Sequence, residues 1–210
     1  MKIGIIGAGM IGSTAARLFV SAGHEIAIAN SRGPASLAGL VAELGPAARA
    51  LDVAGAARWA DVLLLAVPWR KPEALPPSDS VAGKIVIDAM NPYGPDGSIA
   101  DLGSGSSSEE TRRRLPAARL VKAFNTIWYR HLAERGRPDA PVDDRHAIFV
   151  AGDDEDAKRI VMGLIEGIGF GPVDTGSLAD GGRRQQPDTA LYNKILTVRE
   201  ARALLAGRSR

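Results

Sequence analysis

The sequence contains no cysteine, few aromatic residues and no long apolar run. Without cysteine the chain cannot form disulfides, use a thiolate nucleophile or bind zinc or iron–sulfur clusters through sulfur. The missing cysteines fit a reducing compartment, so we expect a cytoplasmic protein. No apolar stretch approaches the roughly 18–20 residues that a membrane-spanning helix needs, so we expect no membrane association.

The excess of positive charge is small, with 26 basic and 24 acidic side chains and a formal net charge of +2. No run of Lys and Arg alternates with aromatic residues, so no nucleic-acid partner is expected. The basic residues 112–114 follow two glutamates and indicate a solvated helix face. The acidic residues 153–156 precede a helical pattern and are interpreted as a cap with dipole-favourable acids, so no metal site is predicted.

Strand-like and helix-like patterns alternate along the 210 residues. This alternation predicts an α/β fold, a Rossmann-like doubly wound and mostly parallel sheet with a small C-terminal extension. We expect one main domain over residues 1–180 and an extension over 181–210. The predicted strands are 2–6, 24–29, 49–51, 62–67, 84–89, 120–124, 146–151 and a short one from 173. The predicted helices are 10–22, 34–44, one from 52, 109–115, 127–135, 153–168 and 194–205, with a mobile loop over 92–108.

Residues 7–12, GAGMIG, match the G-x-G-x-x-G motif directly after a predicted strand and at the start of a predicted helix. In this context Gly7 makes a tight turn, Gly9 lets the backbone approach a pyrophosphate and Gly12 allows close packing of helix on strand. The free N–H groups of the helix N-terminus favour phosphate. The motif therefore predicts a dinucleotide site, against the alternative of a glycine-rich turn without a ligand.

The end of the second predicted strand reads Asn30, Ser31, Arg32 and has no carboxylate. An NAD site places Asp or Glu there to accept hydrogen bonds from the ribose 2′-hydroxyl. Arg32 can instead make charge-assisted contacts to a 2′-phosphate, and Ser31 adds a hydroxyl donor. The cofactor predicted is NADP, although a surface arginine in a turn is the plain alternative.

Three further strand ends carry residues that can border a nicotinamide, because ligands of open α/β sheets bind outside the carboxyl ends of the strands. Each is also consistent with an ordinary strand-to-helix turn and its capping residue. The candidates at these ends are Ala66, Val67, Pro68, Asn91, Ala123, Asn125 and Thr126.

No proton-transfer group is evident, so no catalytic residue is predicted. The histidines are His24, His131 and His146, and none forms a recognisable triad. Lys122 can act as a general acid, but within a strand it more often faces solvent or pairs with a carboxylate. A dinucleotide site without an acid suits direct hydride transfer to a deazaflavin or flavin.

The sequence resembles the F420-dependent NADP oxidoreductases, and related domains occur in membrane metalloreductases. The resemblance covers about residues 1–180. The segments that carry it are 4–9, 30–32, 67–69, 122–126 and 149–154 followed by 157–159. It implies a single Rossmann-like domain that binds NADP, hydride transfer between nicotinamide and coenzyme F420, and a homodimer.

By position the resemblance assigns Gly7, Gly9, Met10 and Ile11 to the pyrophosphate, Ser31 and Arg32 to the 2′-phosphate, Val67 and Pro68 to the nicotinamide ribose, and Ala123, Asn125 and Thr126 to the nicotinamide. Ala8, Gly12, Asn30, Ala66 and Asn91 complete the predicted cofactor site. From about residue 181 the sequence departs from the family pattern, and this segment is expected to shape the acceptor pocket or the dimer contact.

The function expected is NADPH-dependent hydride transfer to F420, a flavin or another small acceptor. One alternative is an imine or ketone reductase related to pyrroline-5-carboxylate reductase, a class that generally carries a further helical domain. Another is an NADP-binding sensor without turnover. Because the nucleotide fold accounts for about 180 residues, we expect the acceptor to bind on the crevice itself or between two subunits.

Overall fold

An eight-stranded sheet runs through the computed structural model, which describes residues 1–207. Its strand order is β3-β2-β1-β4-β5-β6-β7-β8. The strands are β1 (Lys2–Ile6), β2 (Glu25–Ala29), β3 (Ala48–Ala50), β4 (Val62–Leu65), β5 (Ile85–Asp88), β6 (Arg119–Ala123), β7 (Ala147–Gly152) and β8 (Gly171–Asp174). The first six follow the 3-2-1-4-5-6 order of dinucleotide-binding folds. The predicted Rossmann-like α/β fold is confirmed.

Helices separate most of the strands, as the sequence pattern predicts, but no α-helix lies between β4 and β5, and the helix over 180–184 was not predicted. The helices are α1 (Met10–Ser21), α2 (Ala38–Leu44), α3 (Val53–Trp59), α4 (Ser107–Arg114), α5 (Tyr129–Glu134), α6 (Glu155–Gly167), α7 (Asp180–Arg184) and α8 (Val198–Leu205). Within residues 1–207 no helix combines the length and apolar character needed to cross a membrane.

Successive strand residues point to opposite faces of the sheet, and each face has its own apolar core. Ile3 and Ile5 pack in the core under α1, α2, α5 and α6, whereas Ile6 packs in the core that includes α3. Leu64 of β4 packs in the first of these cores and Leu63 in the second. Burial on both faces explains why β4 and β5 are continuous apolar runs in the sequence.

One strand pair breaks the parallel pattern. β7 runs antiparallel to β6, with Lys122 opposite Ala151, and β8 then runs parallel to β7. The expected mostly parallel sheet is therefore found, but its direction reverses after β6. The carboxyl ends of β1, β2, β4, β5 and β6 consequently lie along one edge of the sheet, whereas those of β7 and β8 lie along the other.

Two predicted helix starts shift by one or two residues because of particular caps. α4 begins at Ser107 because the Ser106 hydroxyl accepts from the Glu109 backbone N–H at 3.2 Å, which shortens the predicted 92–108 loop. α6 is capped by Asp154, whose carboxylate accepts from the Ala157 N–H at 2.9 Å. Asp153, where the sequence pattern predicts the start of this helix, instead accepts from the Leu178 N–H.

The C-terminal segment packs onto the same sheet as the rest of the chain. Val198 and Ala201 of α8 are fully buried with Phe149 of β7 and Val173 of β8. The helix expected over 194–205 begins only at Val198, where Thr197 and Glu200 form a reciprocal capping box. Residues 208–210 of the expected extension lie outside the described residues.

Candidate functional site

A cleft of about 1010 Å³ opens at the carboxyl ends of β1, β2, β4 and β5. Because the strand order reverses between β1 and β4, the cleft lies at the switch point where open α/β sheets bind ligands. It brings together most of the residues that the sequence singled out. The predicted cofactor residues that line it are Gly7, Ala8, Gly9, Met10, Ile11, Asn30, Ser31, Arg32, Ala66, Val67, Pro68 and Asn91.

The glycine motif forms the turn between β1 and α1, and two of its glycines are required by close packing. Gly7 has a φ of 109°, a conformation that side-chain-bearing residues rarely adopt, and its N–H donates to the Ala29 carbonyl at 2.8 Å. A Cβ on Gly12 would collide with the Gly7 carbonyl oxygen. Gly12 is buried behind the turn and does not line the cleft.

Gly9 has a different environment and leaves the centre of the cleft open. A Cβ built on this residue meets no atom within 4 Å. Gly9 is also the N-cap of α1, where no side chain caps the helix and no acidic residue occupies the first turn. The first N–H groups of α1 therefore keep their capacity to bind an anion at the open side of the turn.

The loop after β2 presents Ser31 and Arg32 to one end of the cleft. Asn30 fixes this loop, since its side-chain oxygen accepts from the Arg32 N–H at 2.9 Å and its amide donates to the Ser36 hydroxyl at 2.9 Å. Both Ser31 and Arg32 have exposed side chains. Asn30 thus shapes the turn while its two neighbours face the cleft.

Charged residues after β4 also line the cleft, and the sequence motifs did not identify them. Arg70 and Lys71 join Arg32, with Glu73 as the one acidic group among the lining residues. Three cations against one carboxylate give the cleft a positive field, which attracts anionic ligands. Only Trp69 separates Arg70 and Lys71 from the predicted Ala66–Pro68 turn, so their position was available from the sequence.

Ala123, Asn125 and Thr126 are buried and do not line the cleft. Asn125 is joined by two hydrogen bonds to Asn91, which does line the cleft. The Asn91 amide donates to the Asn125 backbone oxygen at 2.9 Å, and the Asn125 amide donates to the Asn91 side-chain oxygen at 3.1 Å. The side-chain oxygen of Asn125 is buried without a hydrogen-bond partner within the described chain. Contact of these three residues with a nicotinamide stays a prediction.

The chain turns abruptly at Phe124, between β6 and Asn125. Phe124 has a φ of 66° although it carries a bulky side chain, and it is fully buried with its ring 6.2 Å from that of Phe19. Left-handed backbone costs a residue of this kind about 1–2 kcal/mol. Packing of the Phe124 ring offsets this cost and fixes the direction in which Asn125 leaves the strand.

A fully buried ion pair lies beside the floor of the cleft. Lys122 of β6 is 3.4 Å from Asp88 of β5 and also donates to the Met90 carbonyl, while Asp88 accepts from the Met90 N–H and from the Ser108 hydroxyl. Burial lowers the pKa of Lys122, and the Asp88 carboxylate opposes this shift. Lys122 does not line the cleft, but Met90 does. Because Lys122 and Asp88 both bond the Met90 backbone, the pair holds this part of the cleft wall in place.

Two tyrosines form a further part of the site that the sequence did not predict. Tyr93, in the loop after β5, lines the cleft, and its hydroxyl oxygen lies 3.1 Å from that of Tyr192. The Asn91 amide donates to the Tyr192 oxygen at 3.4 Å. Burial, followed by the neighbouring Tyr93, raises the pKa of Tyr192, which therefore stays protonated. No motif or spacing connects Tyr93 with Tyr192.

Comparisons with known proteins agree with this geometry. Residues 2–92, which include the glycine turn, the Arg32 loop and the ends of β4 and β5, match the family described as NADP oxidoreductase, coenzyme F420-dependent. A hypothetical protein, SMa0349 from Sinorhizobium meliloti, is 38% identical with a TM-score of 0.81, over 94% of this chain and 95% of that one.

Two further relatives carry functional names. A candidate F420-dependent NADP reductase from Arthrobacter sp. FB24 is 28% identical with a TM-score of 0.76, over 94% of this chain and 99% of that one. Metalloreductase STEAP3 of Rattus norvegicus is 31% identical over 179 residues, which are 85% of this chain. The chain spans only about a third, 34%, of the length of that relative.

The family match covers the segments that build the cleft, and the 38% identical relative covers nearly the whole fold. The chain belongs to the NADP oxidoreductase family described as coenzyme F420-dependent.

Proposed function

We propose that this protein transfers hydride directly between NADP(H) and a small acceptor, coenzyme F420 or a flavin, within the cleft. The observation that carries the proposal is the arrangement of one continuous cleft. An uncapped helix N-terminus and the open face of Gly9 lie at its centre, and Ser31 with Arg32 lies at one end. Bound NADPH supplies the hydride, and the chain supplies binding and orientation.

The residues present fit NADP. In the proposal, residues 7–11 surround the pyrophosphate, because backbone N–H groups and open space coincide there. Ser31 and Arg32 bind the 2′-phosphate, on the side of β2. Val67 and Pro68 flank the nicotinamide ribose, on the side of β4, while Asn91 and the buried residues Ala123, Asn125 and Thr126 form the surroundings of the nicotinamide.

The lining of the cleft favours an acceptor that needs no strong acid. None of the three histidines in the described chain lines it, and its hydroxyl groups belong to Ser31 and Tyr93. The deazaflavin and flavin rings fit this requirement, because both accept a hydride directly. The family resemblance also supports a homodimer, for which sedimentation of the purified protein is the direct measurement.

The cofactor assignment is tested by Arg32→Ala. Loss of a hydrogen-bonded cation should weaken NADPH binding by about 1.5–3 kcal/mol, or roughly 10–100-fold, with little change for NADH. Isothermal titration calorimetry with both cofactors measures this. Arg58→Ala is the matched control, since Arg58 is exposed on α3 and outside the cleft lining. Equal losses for NADPH and NADH would contradict the assignment.

The acceptor is tested by following NADPH absorbance with F420, FMN, riboflavin and a ferric chelate in separate reactions. Oxidation with F420 or a flavin supports the proposal. Oxidation with the ferric chelate alone would favour a second candidate, metal reduction, which the named metalloreductase relative supports. Tight NADPH binding without oxidation by any acceptor would contradict both enzyme proposals and favour a sensor.

A further inference from the structure

The segment that follows α7 contacts two residues of the cleft lining, Asn91 and Tyr93, through the Tyr192 hydroxyl. The backbone N–H of Asn193 donates to the Thr126 carbonyl at 2.9 Å, which ties this segment to the end of β6. Leu191, on the other side of Tyr192, is buried in the core formed by β7, β8 and α8. With both neighbours anchored, the Tyr192 side chain is held against the loop that follows β5.

The hydrogen bonds of this region form a chain that leads toward the cleft. The Asn91 amide donates to Tyr192 at 3.4 Å, and the Tyr192 and Tyr93 hydroxyl oxygens lie 3.1 Å apart. Each phenol has one proton and two lone pairs, and the proton rotates to suit its partners. When a group in the cleft accepts a hydrogen bond from the Tyr93 hydroxyl, that hydroxyl no longer donates to Tyr192. The Tyr192 hydroxyl can then donate to the Tyr93 oxygen. The chain then runs from Asn91 through both tyrosines to that group.

We infer that Tyr93 and Tyr192 form the recognition subsite for the hydride acceptor. Tyr93 donates a hydrogen bond to a carbonyl oxygen or ring nitrogen of the acceptor, and Tyr192 positions Tyr93 and strengthens that bond. This inference rests on the proposed function and deepens it, since it selects heterocyclic acceptors with an exposed hydrogen-bond-accepting atom.

The position of Tyr93 supports this role. It follows β5, on the half of the cleft opposite the Arg32 loop, and its side chain is half-buried. A cofactor that spans the switch point from Arg32 toward β5 brings its far end to this half. Hydrogen bonds in series also polarise one another, so a phenol that accepts a hydrogen bond is a better donor.

The test compares Tyr93→Phe and Tyr192→Phe with Tyr129→Phe. Tyr129 is the third tyrosine and lies outside the cleft lining, and its hydroxyl oxygen accepts a hydrogen bond from the Arg130 side chain. Riboflavin binding is measured by quenching of its fluorescence in the presence of NADP+, and kcat and KM are measured with NADPH and riboflavin. Tyr93→Phe should weaken riboflavin binding about fivefold or more and lower kcat/KM for riboflavin at least as much. Tyr192→Phe should give a smaller loss.

NADPH affinity separates recognition of the acceptor from general damage, and it should change by less than about twofold in all three variants. Riboflavin binding by Tyr93→Phe equal to wild type would overturn the inference while leaving the proposed function intact. If the wild type binds riboflavin but oxidises NADPH with none of riboflavin, FMN and F420, the proposed function fails, and a selective loss of riboflavin binding in Tyr93→Phe still supports the subsite. If the wild type binds no riboflavin, the same binding and kinetic measurements are made with F420. Absence of binding to both riboflavin and F420 would overturn the subsite.

Discussion

Gly9 and Gly12 belong to one motif, yet their surroundings give them different tasks. A Cβ at Gly12 collides with the Gly7 carbonyl oxygen, whereas a Cβ at Gly9 meets no atom within 4 Å. Gly12→Ala should therefore lower the free energy of unfolding by about 1–3 kcal/mol. Gly9→Ala should leave stability nearly unchanged and weaken NADPH binding about tenfold or more, since its methyl group occupies the space proposed for the pyrophosphate. Urea denaturation and calorimetry measure the two effects.

These two substitutions serve as controls for each other. Equal destabilisation by both would mean that the turn, and not the cleft, requires glycine at position 9. Unchanged NADPH affinity in Gly9→Ala would place the pyrophosphate elsewhere.

At the residue scale, the sequence predicted the parts of the site that lie in contiguous motifs. The glycine turn and the Ser31–Arg32 loop were recognisable because each motif carries its own physical requirement. The contact between Tyr93 and Tyr192 was not recognisable, because it joins residues 99 positions apart and depends on how the C-terminal segment packs. Local patterns hold no information on that packing.

At the scale of elements, β5 and β6 are joined by the buried pair of Asp88 and Lys122, both fully inaccessible to solvent. Lys122→Met leaves the carboxylate buried without its cation, and should lower the free energy of unfolding by about 3–5 kcal/mol. The double variant with Asp88→Asn should recover about half of this loss or more, because the amide oxygen still accepts from the Met90 N–H. Chemical denaturation of the two variants and the wild type gives the comparison.

A double variant no more stable than Lys122→Met alone would show that packing of the lysine side chain, and not its charge, supports the two strands.

Element order was predictable because the strands are short apolar runs separated by helical patterns. The reversed direction of β7 was not predictable. Alternation of strands and helices does not specify the direction of a strand that follows a helix and a loop, as β7 does. The cap of α6 shows a similar limit. Asp153 and Asp154 are both suitable caps by residue type, and only the tertiary bond of Asp153 to the Leu178 N–H decides between them.

For the molecule as a whole, stability should depend on pH through His146. Burial, with smaller effects of Arg135 and His131, lowers the pKa of His146 to about 4. The unfolded chain takes up this proton near pH 6.5, whereas the folded protein does so only near pH 4. The free energy of unfolding should therefore fall by about 2 kcal/mol as the pH decreases from 7 to 4.

The pKa of His24 is also lowered, by burial and the nearby N-terminal ammonium, so it contributes in the same direction. Urea denaturation of His146→Leu and the wild type at several pH values isolates the His146 contribution. The loss of stability between pH 7 and pH 4 should be smaller in His146→Leu. Parallel pH profiles for the two proteins would assign the dependence to other groups.

The ends of the sheet limit how copies of the protein can associate. β3 has three residues and β8 has four, and Pro172 in β8 lacks the backbone N–H that strand pairing requires. Short edges and an edge proline oppose the addition of a strand from another molecule. A stable assembly of this chain must therefore use side-chain surfaces of the helices and loops, so mutations that block it can leave the cleft intact.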